Sequence, residues 1–394
     1  MEKERVFRAS AFVIFLTLLL LPGIAHAANC TVVGPPQPFP FTNIFSSIND
    51  ALATIGTFGG TITVTGTCTE NVMLNNARSV TIIAGPGGAK IVQPQDSDTF
   101  DITASQNITL QNLEIVGVPG STPGFGGAGV NITEASDVHI IGCDIHDSEG
   151  GGVSVNTNST LFLHNTTIHN NTPGDGLGVL DNSTAYVRGS TIQSNGCAGV
   201  GVTCGDGVFV ARNSVAVFRQ ETNLIKNNGD IGIDAVNLST VIFNGAPTII
   251  QGHGIRGINV GGGGHLTINS PVTIQGNGVA CRPDFPCGGI FGSENSTLDL
   301  RAGTITGNQG AGIFVQQGTN LHLRGGVTVS NNSGDGVHIR WISIGDFTPI
   351  PGSGSANNTI TGNGGASVFC DARSLAIGNL EGFSNVKCGE NAQQ

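Results

Sequence analysis

The sequence predicts an all-β solenoid, a stack of parallel coils with three short strands each, and three in-phase repeats carry that prediction. A Gly followed by Val or Ile recurs at Gly129-Val130, Gly152-Val153, Gly178-Val179, Gly207-Val208, Gly232-Ile233, Gly257-Ile258, Gly289-Ile290, Gly312-Ile313 and Gly336-Val337. The spacings are 23, 26, 29, 25, 25, 32, 23 and 24 residues. A second series sets Ser136, Ser159, Ser183, Ser214, Ser239, Gly264, Ser296 and Thr319 ahead of a short alternating strand. A third closes the unit on Ile-x-x-Asn, as in Ile168 to Asn171, Ile192 to Asn195, Ile225 to Asn228, Ile274 to Asn277, Ile305 to Asn308 and Ile360 to Asn363.

Alternation with period two sends one set of side chains inward and the other outward. Leu161, Leu163, Val187, Phe218, Phe243, Leu298, Leu300, Leu321 and Leu323 are the expected inward stacks. The recurring Asn suits turns that need left-handed backbone and side-chain hydrogen bonds. One unit cannot bury its own apolar face, so units must stack. At ~4.8 Å per strand, ten or eleven coils make a rod of roughly 50 Å.

Composition narrows the class. The chain has 394 residues and 61 Gly without a Gly-X-Y period, which excludes collagen. Hydrophobic content of 38% against 11% charged is too apolar for disorder. A net charge of −11 with no basic run argues against a nucleic-acid partner, which needs cations to displace counterions.

At the start, Lys3, Arg5 and Arg8 precede the apolar run Ala11 to Leu21, followed by Ala25-His26-Ala27. That is the pattern of a secretory signal peptide over 1–27, and the run is too short to span ~30 Å of hydrocarbon. The expectation is a secreted protein, extracellular or periplasmic, with no membrane span left after signal removal. Its single domain would run over 28–394, with an N-terminal cap and first strands over 28–75 and a C-terminal cap over 366–394. Export permits disulfides, and spacing suggests Cys30 with Cys68, Cys197 with Cys204, Cys281 with Cys287 and Cys370 with Cys388. Cys143 is left as a buried free thiol.

These repeats resemble those of the right-handed parallel β-helix superfamily, the pectate-lyase-like folds, over most of the mature chain. Ile44 to Ile55 reads as the short amphipathic helix that caps such a solenoid. Gly60-Thr61-Ile62-Thr63-Val64 and Gly66-Thr67-Cys68-Thr69-Glu70-Asn71 are similar to the family's opening strand and turn. The right hand follows from the crossover rule as well as from the resemblance. The fold hosts lyases, hydrolases, esterases, epimerases, adhesins and scaffolds, so function has to be read from side chains.

Long connections at Val116–Gly127, Gly196–Asp206 and Val279–Gly288 interrupt one turn, before the Gly-Val strand, and could wall a groove. A fourth, Trp341 to Asn357, carries the single Trp. Stacking aligns an outward column His139, Phe162, Tyr186, Val217, Ile242, Thr267, Asp299, His322, with His164, Arg188 and Arg219 just beyond. Phe162, Tyr186, Arg188 and Arg219 are the candidate ligand-binding set, rings for sugar faces and forks for hydroxyls or uronate carboxylates. The same column also reads as β-formers with solvated Arg.

A further column holds His146, His169, Gln193, Lys226, Gln251, Gln275 and Thr306. His146, Asp147 and His169 are the candidate catalytic residues, a His beside carboxylates being a general base tunable near neutrality, and equally a polar ladder. Glu149, Asp175, Asp206 and Asp230 are candidate Ca²⁺ ligands, since Ca²⁺ takes 6–8 oxygens. Asp175-Gly176 and Asp206-Gly207 also read simply as turns. Gly252-His253-Gly254 looks like a polygalacturonase fragment, but His253 occupies the slot of the turn Asn and the paired-Asp motif is missing. The reading is therefore a carbohydrate-binding or structural surface scaffold without turnover, its partner a polysaccharide or cell-surface glycan. The alternative is a lyase, glycoside hydrolase or epimerase working in an outer groove.

Overall fold

In every unit but that of Gly178, the Gly of the Gly-Val repeat stands where a side chain has nowhere to go. A computed structural model shows this for the described residues, 30–35, 43–55, 58–118, 126–196, 205–245, 247–281, 286–349 and 357–389. A Cβ on Gly152 would lie 2.3 Å from Cγ2 of Ile168 and 2.7 Å from the carbonyl oxygen of Gly176. On Gly207 it would meet Asn228 Nδ2 and Gly232 O, each at 2.5 Å. The Gly repeat and the Ile-x-x-Asn repeat are thus two sides of one contact.

The strands form a parallel β-helix. Thirteen parallel strands, from Val72–Asn75 to Val386–Cys388, make the Gly-Val face. The other two faces are formed by strands such as Thr160–His164 and Thr167–His169, called here the middle face and the Asn face. They join into one 25-stranded sheet because Gly60–Thr69 and Val80–Val92 run through both. Thirteen strands exceed the ten or eleven coils expected because the strands beginning at Val72, Phe100, Val368 and Val386 lack the preceding Gly.

Register corrects one unit. Val153 pairs with Leu177 and Leu177 with Val208, so the Gly in phase is Gly176, and Gly178 lies two residues further along the strand. A Cβ on Gly178 would meet only Leu180 Cδ1, at 3.9 Å. The expected inward stacks, from Leu161 to Leu323, are all buried. Phe218 and Phe243 stack face to face at 4.9 Å within that core.

Buried polar ladders satisfy the backbone N–H groups at the corners of the coils. Asn195 Oδ1 accepts both the Asn171 N–H at 3.2 Å and Asn171 Nδ2 at 2.8 Å, and Asn195 Nδ2 donates to the Ile168 carbonyl at 3.2 Å. The pattern repeats through Asn228, Asn277, Asn308, Asn332 and Asn363. His253 stands in the Asn slot as expected. Its Nδ1 accepts the Asn228 N–H and its Nε2 faces the Ile225 carbonyl, both at 3.2 Å. The Ser series forms a second ladder, in which the hydroxyls of Ser136, Ser159, Ser183, Ser214 and Ser239 each accept the N–H of the counterpart one coil earlier, as Ser183 does for Ser159 at 3.1 Å.

At the N-terminal end the helix covers Ile48–Ile55 and not the whole of Ile44–Ile55, because Ile44–Phe45 pairs as a strand against Val32 and Val33. Ser47 Oγ accepts the Asp50 N–H at 3.0 Å as its N-cap. The Glu70 carboxylate receives the N–H groups of Ile48 and Asn49 at 2.9 and 3.2 Å, where the helix dipole favours an anion. Ile48, Ala51 and Ile55 are buried over the first coil.

Disulfides join Cys30 to Cys68, Cys281 to Cys287 and Cys370 to Cys388, as expected. The proposed Cys197–Cys204 pair and the signal peptide at 1–27 lie outside the described residues. Cys143 is free and buried, and burial pushes its thiol up to about 11. Three of the insertions leave the turn between the Asn face and the Gly-Val face. The fourth runs from the Ile344–Phe347 strand to Thr359–Thr361, between the middle and Asn faces.

Candidate functional site

The turn before the Gly-Val face carries one residue per coil just ahead of the in-phase Gly. In successive coils that residue is Asp175, Asp206, Ile231 and Arg256. Asp175 Oδ1 accepts the Asp206 N–H at 2.7 Å, and Asp206 Oδ1 accepts the Ile231 N–H at 3.0 Å. This is the turn chemistry expected of Asp-Gly, but the carboxyls also cluster, Asp206 buried and Asp175 half-buried. Asp230, and Asp234 on the strand Ile231–Ala235, complete an acidic group around them.

Arg256 opposes those acids. Its Nε donates to the Pro286 carbonyl at 2.7 Å and its Nη1 to Asn259 Oδ1 at 2.9 Å. Asn259 Nδ2 donates in turn to Asp234 Oδ1 at 2.6 Å. The guanidinium also lies 3.9 Å over the Phe291 ring, a cation–π contact. Parallel register produces this row, since Phe209, Asp234, Asn259, Phe291, Phe314, His338 and Phe369 are successive partners on the outward side of the Gly-Val face.

Burial sets the electrostatics. It pushes Asp175 up to about 6, against the hydrogen bond from the Asp206 N–H and helped by the charges of Asp234 and Asp230. Asp206 is raised well above the ordinary carboxyl range by burial first and then by Asp234, Asp175 and Asp230. Asp234 is raised by burial against the Asn259 bond and the Arg256 charge. Arg256 is lowered to about 10 by burial, with Asp234, Asp230 and Asp206 pulling it back. Burial thus pushes Asp175, Asp206 and Asp234 toward the protonated form, the direction seen where carboxyls serve in acid–base chemistry.

Of the four expected Ca²⁺ ligands, Asp175, Asp206 and Asp230 come together, while Glu149 lies a coil earlier with its main-chain oxygen against Gly174. Among the described residues, the group with ligand atoms all within 4.8 Å of one another is Asp144, His146 and His169, and not this acidic set. Asp234, Arg256 and Asn259 were missed in the sequence. The signal that could have found them was the outward column of the Gly-Val face, together with Arg256 standing in the slot of Asp175 and Asp206.

The candidate ligand column on the middle face is assembled as its register predicts. His139, Phe162 and Tyr186 stack at 4.5 and 5.1 Å, and Arg219 lies 4.3 Å over Tyr186. Stacked this way, Phe162 and Tyr186 cover each other's flat faces and present edges. Arg188 is held by Glu221, at 3.0 Å through Nε and 2.5 Å through Nη2. On the Asn face, His146 and His169 stack at 4.9 Å; His146 Nδ1 meets Asp147 Oδ2 at 2.8 Å and His169 Nε2 meets Asp144 Oδ1 at 3.0 Å.

A family model described as "Right handed beta helix region" matches residues 60–215. Comparison with curated protein sequences finds no match. Among solved structures, the chain is similar to the A-module of the Azotobacter vinelandii mannuronan C-5 epimerase AlgE4, with a TM-score of 0.58 and 14% identity over 84% of this chain and 94% of that one. It is similar also to the A-module of the epimerase AlgE6 from the same organism, with a TM-score of 0.54 and 14% identity over 84% and 93%. At that identity the likeness is one of fold, and it agrees with the coil geometry and with the family match over residues 60–215: the chain folds as a right-handed parallel β-helix.

Proposed function

We propose that this chain is a secreted carbohydrate-binding β-helix that takes a polysaccharide strand on its Gly-Val face, with the Asp–Arg cluster at the polar centre. The observation that carries the reading is the Asp234–Asn259–Arg256 chain, backed by Asp175 and Asp206. An outward β face needs only β-formers to fold. Holding a half-buried guanidinium beside half-buried carboxyls costs stability, and costs of that kind concentrate at functional sites. Sugar hydroxyls match carboxylate acceptors and guanidinium or amide donors. The two solved structures to which the fold is likened above are named as mannuronan C-5 epimerases, and mannuronan is a polysaccharide. The middle-face column is the weaker candidate, because its ring faces are covered and Arg188 is neutralised by Glu221. Secretion is supported by three disulfides and the leader-like segment 1–27; among the described residues no helix is long and apolar enough to cross a membrane.

One observation favours turnover as a second reading. Asp175 and Asp206 are neighbouring carboxyls both raised above the ordinary range by burial and by each other's surroundings, which puts two candidate acid–base groups in one cluster. The test incubates the full chain, with and without Ca²⁺, against neutral and uronate polysaccharides, scoring binding and new chain ends together. Binding that falls in Arg256→Gln supports the site. New reducing or unsaturated ends that vanish in Asp206→Asn establish turnover, since Asn keeps an acceptor for the Ile231 N–H. Silence with every polymer overturns the proposal.

A further inference from the structure

We propose that Asp144, His146 and His169, on the Asn face, form a binding site for a first-row divalent transition-metal cation, with Zn²⁺ as its probe. This site uses none of the residues of the Gly-Val cluster and does not depend on the carbohydrate reading. Nothing in the stacking of a β-helix requires two imidazoles and a carboxylate at this spot, since the same column continues downstream as Gln193, Lys226 and Gln251.

Register brings the three together. Asp144 and His146 are two residues apart on one strand and so share a side, and His169 is the direct partner of His146 on the next coil. Their ligand atoms all lie within 4.8 Å of one another. Asp144 Oδ1 and His169 Nε2 are already 3.0 Å apart. With metal–nitrogen and metal–oxygen bonds of about 2.0–2.2 Å, neighbouring ligands sit roughly 3.0–3.5 Å apart, so that pair needs little movement. His146 Nε2 reaches the same ion by a tilt of its ring. The His146 and His169 side chains are only 14% and 22% exposed, so both are ordered by packing yet open to solvent.

Two further groups tune His146. Its Nδ1 faces Asp147 Oδ2 at 2.8 Å, the carboxylate partner that fixes the ring of a metal-bound His and places the lone pair on Nε2. That Nε2 lies 3.4 Å from Glu114 Oε1, which leaves a lone pair against a carboxylate unless a proton or a cation intervenes. Glu114 is tied to Lys90 at 2.8 Å, so of the three carboxylates around the two rings one is already paired with a cation. Two imidazoles and one carboxylate suit Zn²⁺, Cu²⁺ or Ni²⁺, whereas Ca²⁺ prefers an all-oxygen set.

The test titrates Zn²⁺ into chelator-treated full chain by calorimetry, with Ca²⁺ as the control. The expected result is one Zn²⁺ per chain and no Ca²⁺ response. His146→Gln and His169→Gln should each weaken Zn²⁺ by about tenfold or more, and Asp147→Asn by about 10–100-fold. Gln already occupies this column downstream, so the coil is preserved, and metal-free melting temperatures verify it. In the unaltered chain, imidazole NMR should report His146 and His169 as the perturbed rings. Absence of stoichiometric Zn²⁺ uptake, uptake that survives the His146→Gln/His169→Gln double variant, or perturbation of other His rings instead would overturn the site.

Discussion

Asp234 and Arg256 lie one coil apart on the Gly-Val face and are joined through a single side chain: Arg256 Nη1 donates to Asn259 Oδ1 at 2.9 Å, and Asn259 Nδ2 donates to Asp234 Oδ1 at 2.6 Å. Direct parallel partnership of Asp234 with Asn259 makes this relay possible. The amide keeps guanidinium and carboxylate from collapsing into a closed ion pair and leaves each with further capacity for hydrogen bonds. A polar ligand can therefore reach both signs of charge in one place.

The cluster predicts an unusual pH profile. The folded-state value of Asp175 is about 6 against an ordinary 3.8, so between those values the folded chain holds more protons than the unfolded one. Stability from this group is complete below the unfolded value and is lost as pH rises through about 6, by on the order of a few kcal/mol. Asp206 acts in the same direction. Replacing both by Asn should remove the decline while keeping the turn acceptors. Melting temperatures of the two proteins should diverge in favour of the variant between pH 4 and pH 7; parallel curves would count against a buried acidic cluster.

His253 predicts the opposite slope. Burial lowers it to about 4 from 6.5, so its contribution is complete above 6.5 and is lost as pH falls through about 4. His253→Asn restores the side chain that neighbouring coils use, with an oxygen for the Asn228 N–H and an amide for the Ile225 carbonyl. The variant should gain on the natural chain as pH drops from 6.5 to 4, read again by thermal melting. An equal loss at every pH would mean that the ring is held by packing alone.

Gly152 and Gly178 make a matched pair. Gly152→Ala drives a methyl group to 2.3 Å from Ile168 Cγ2 and should cost about 1–3 kcal/mol or more. Gly178→Ala meets nothing closer than 3.9 Å and should stay within about 0.5 kcal/mol. Denaturant melts of the two variants would show whether Gly176 or Gly178 is the in-phase residue.

Most of the fold was readable because each repeat residue has one steric task per coil: Gly for the close approach, Ile for the core, Asn for the ladder. Columns on the middle and Asn faces followed from period-two register alone. The acidic cluster was only half readable. Asp175 and Asp206 were visible as Asp-Gly turns, but their coupling to Asp230 and Asp234 depends on the stacking of the next coil, which no local pattern encodes. Arg256 was hidden because it breaks the column it belongs to. Ile44–Phe45 was read as helix because its apolar spacing fits either period, and the strand at Cys30–Val33 decided the outcome.

The central claim is that carbohydrate is held by the Gly-Val cluster and not by the middle-face column. Its most direct test is the affinity of Arg256→Gln and of Arg219→Gln for whichever polysaccharide the unaltered chain binds, measured side by side by calorimetry with folding checked by circular dichroism. The account predicts that Arg256→Gln loses about 10–100-fold, the worth of charged hydrogen bonds, while Arg219→Gln binds as the natural chain does. Loss in Arg219→Gln with full binding by Arg256→Gln would contradict it and move the site to Phe162, Tyr186, Arg188 and Arg219.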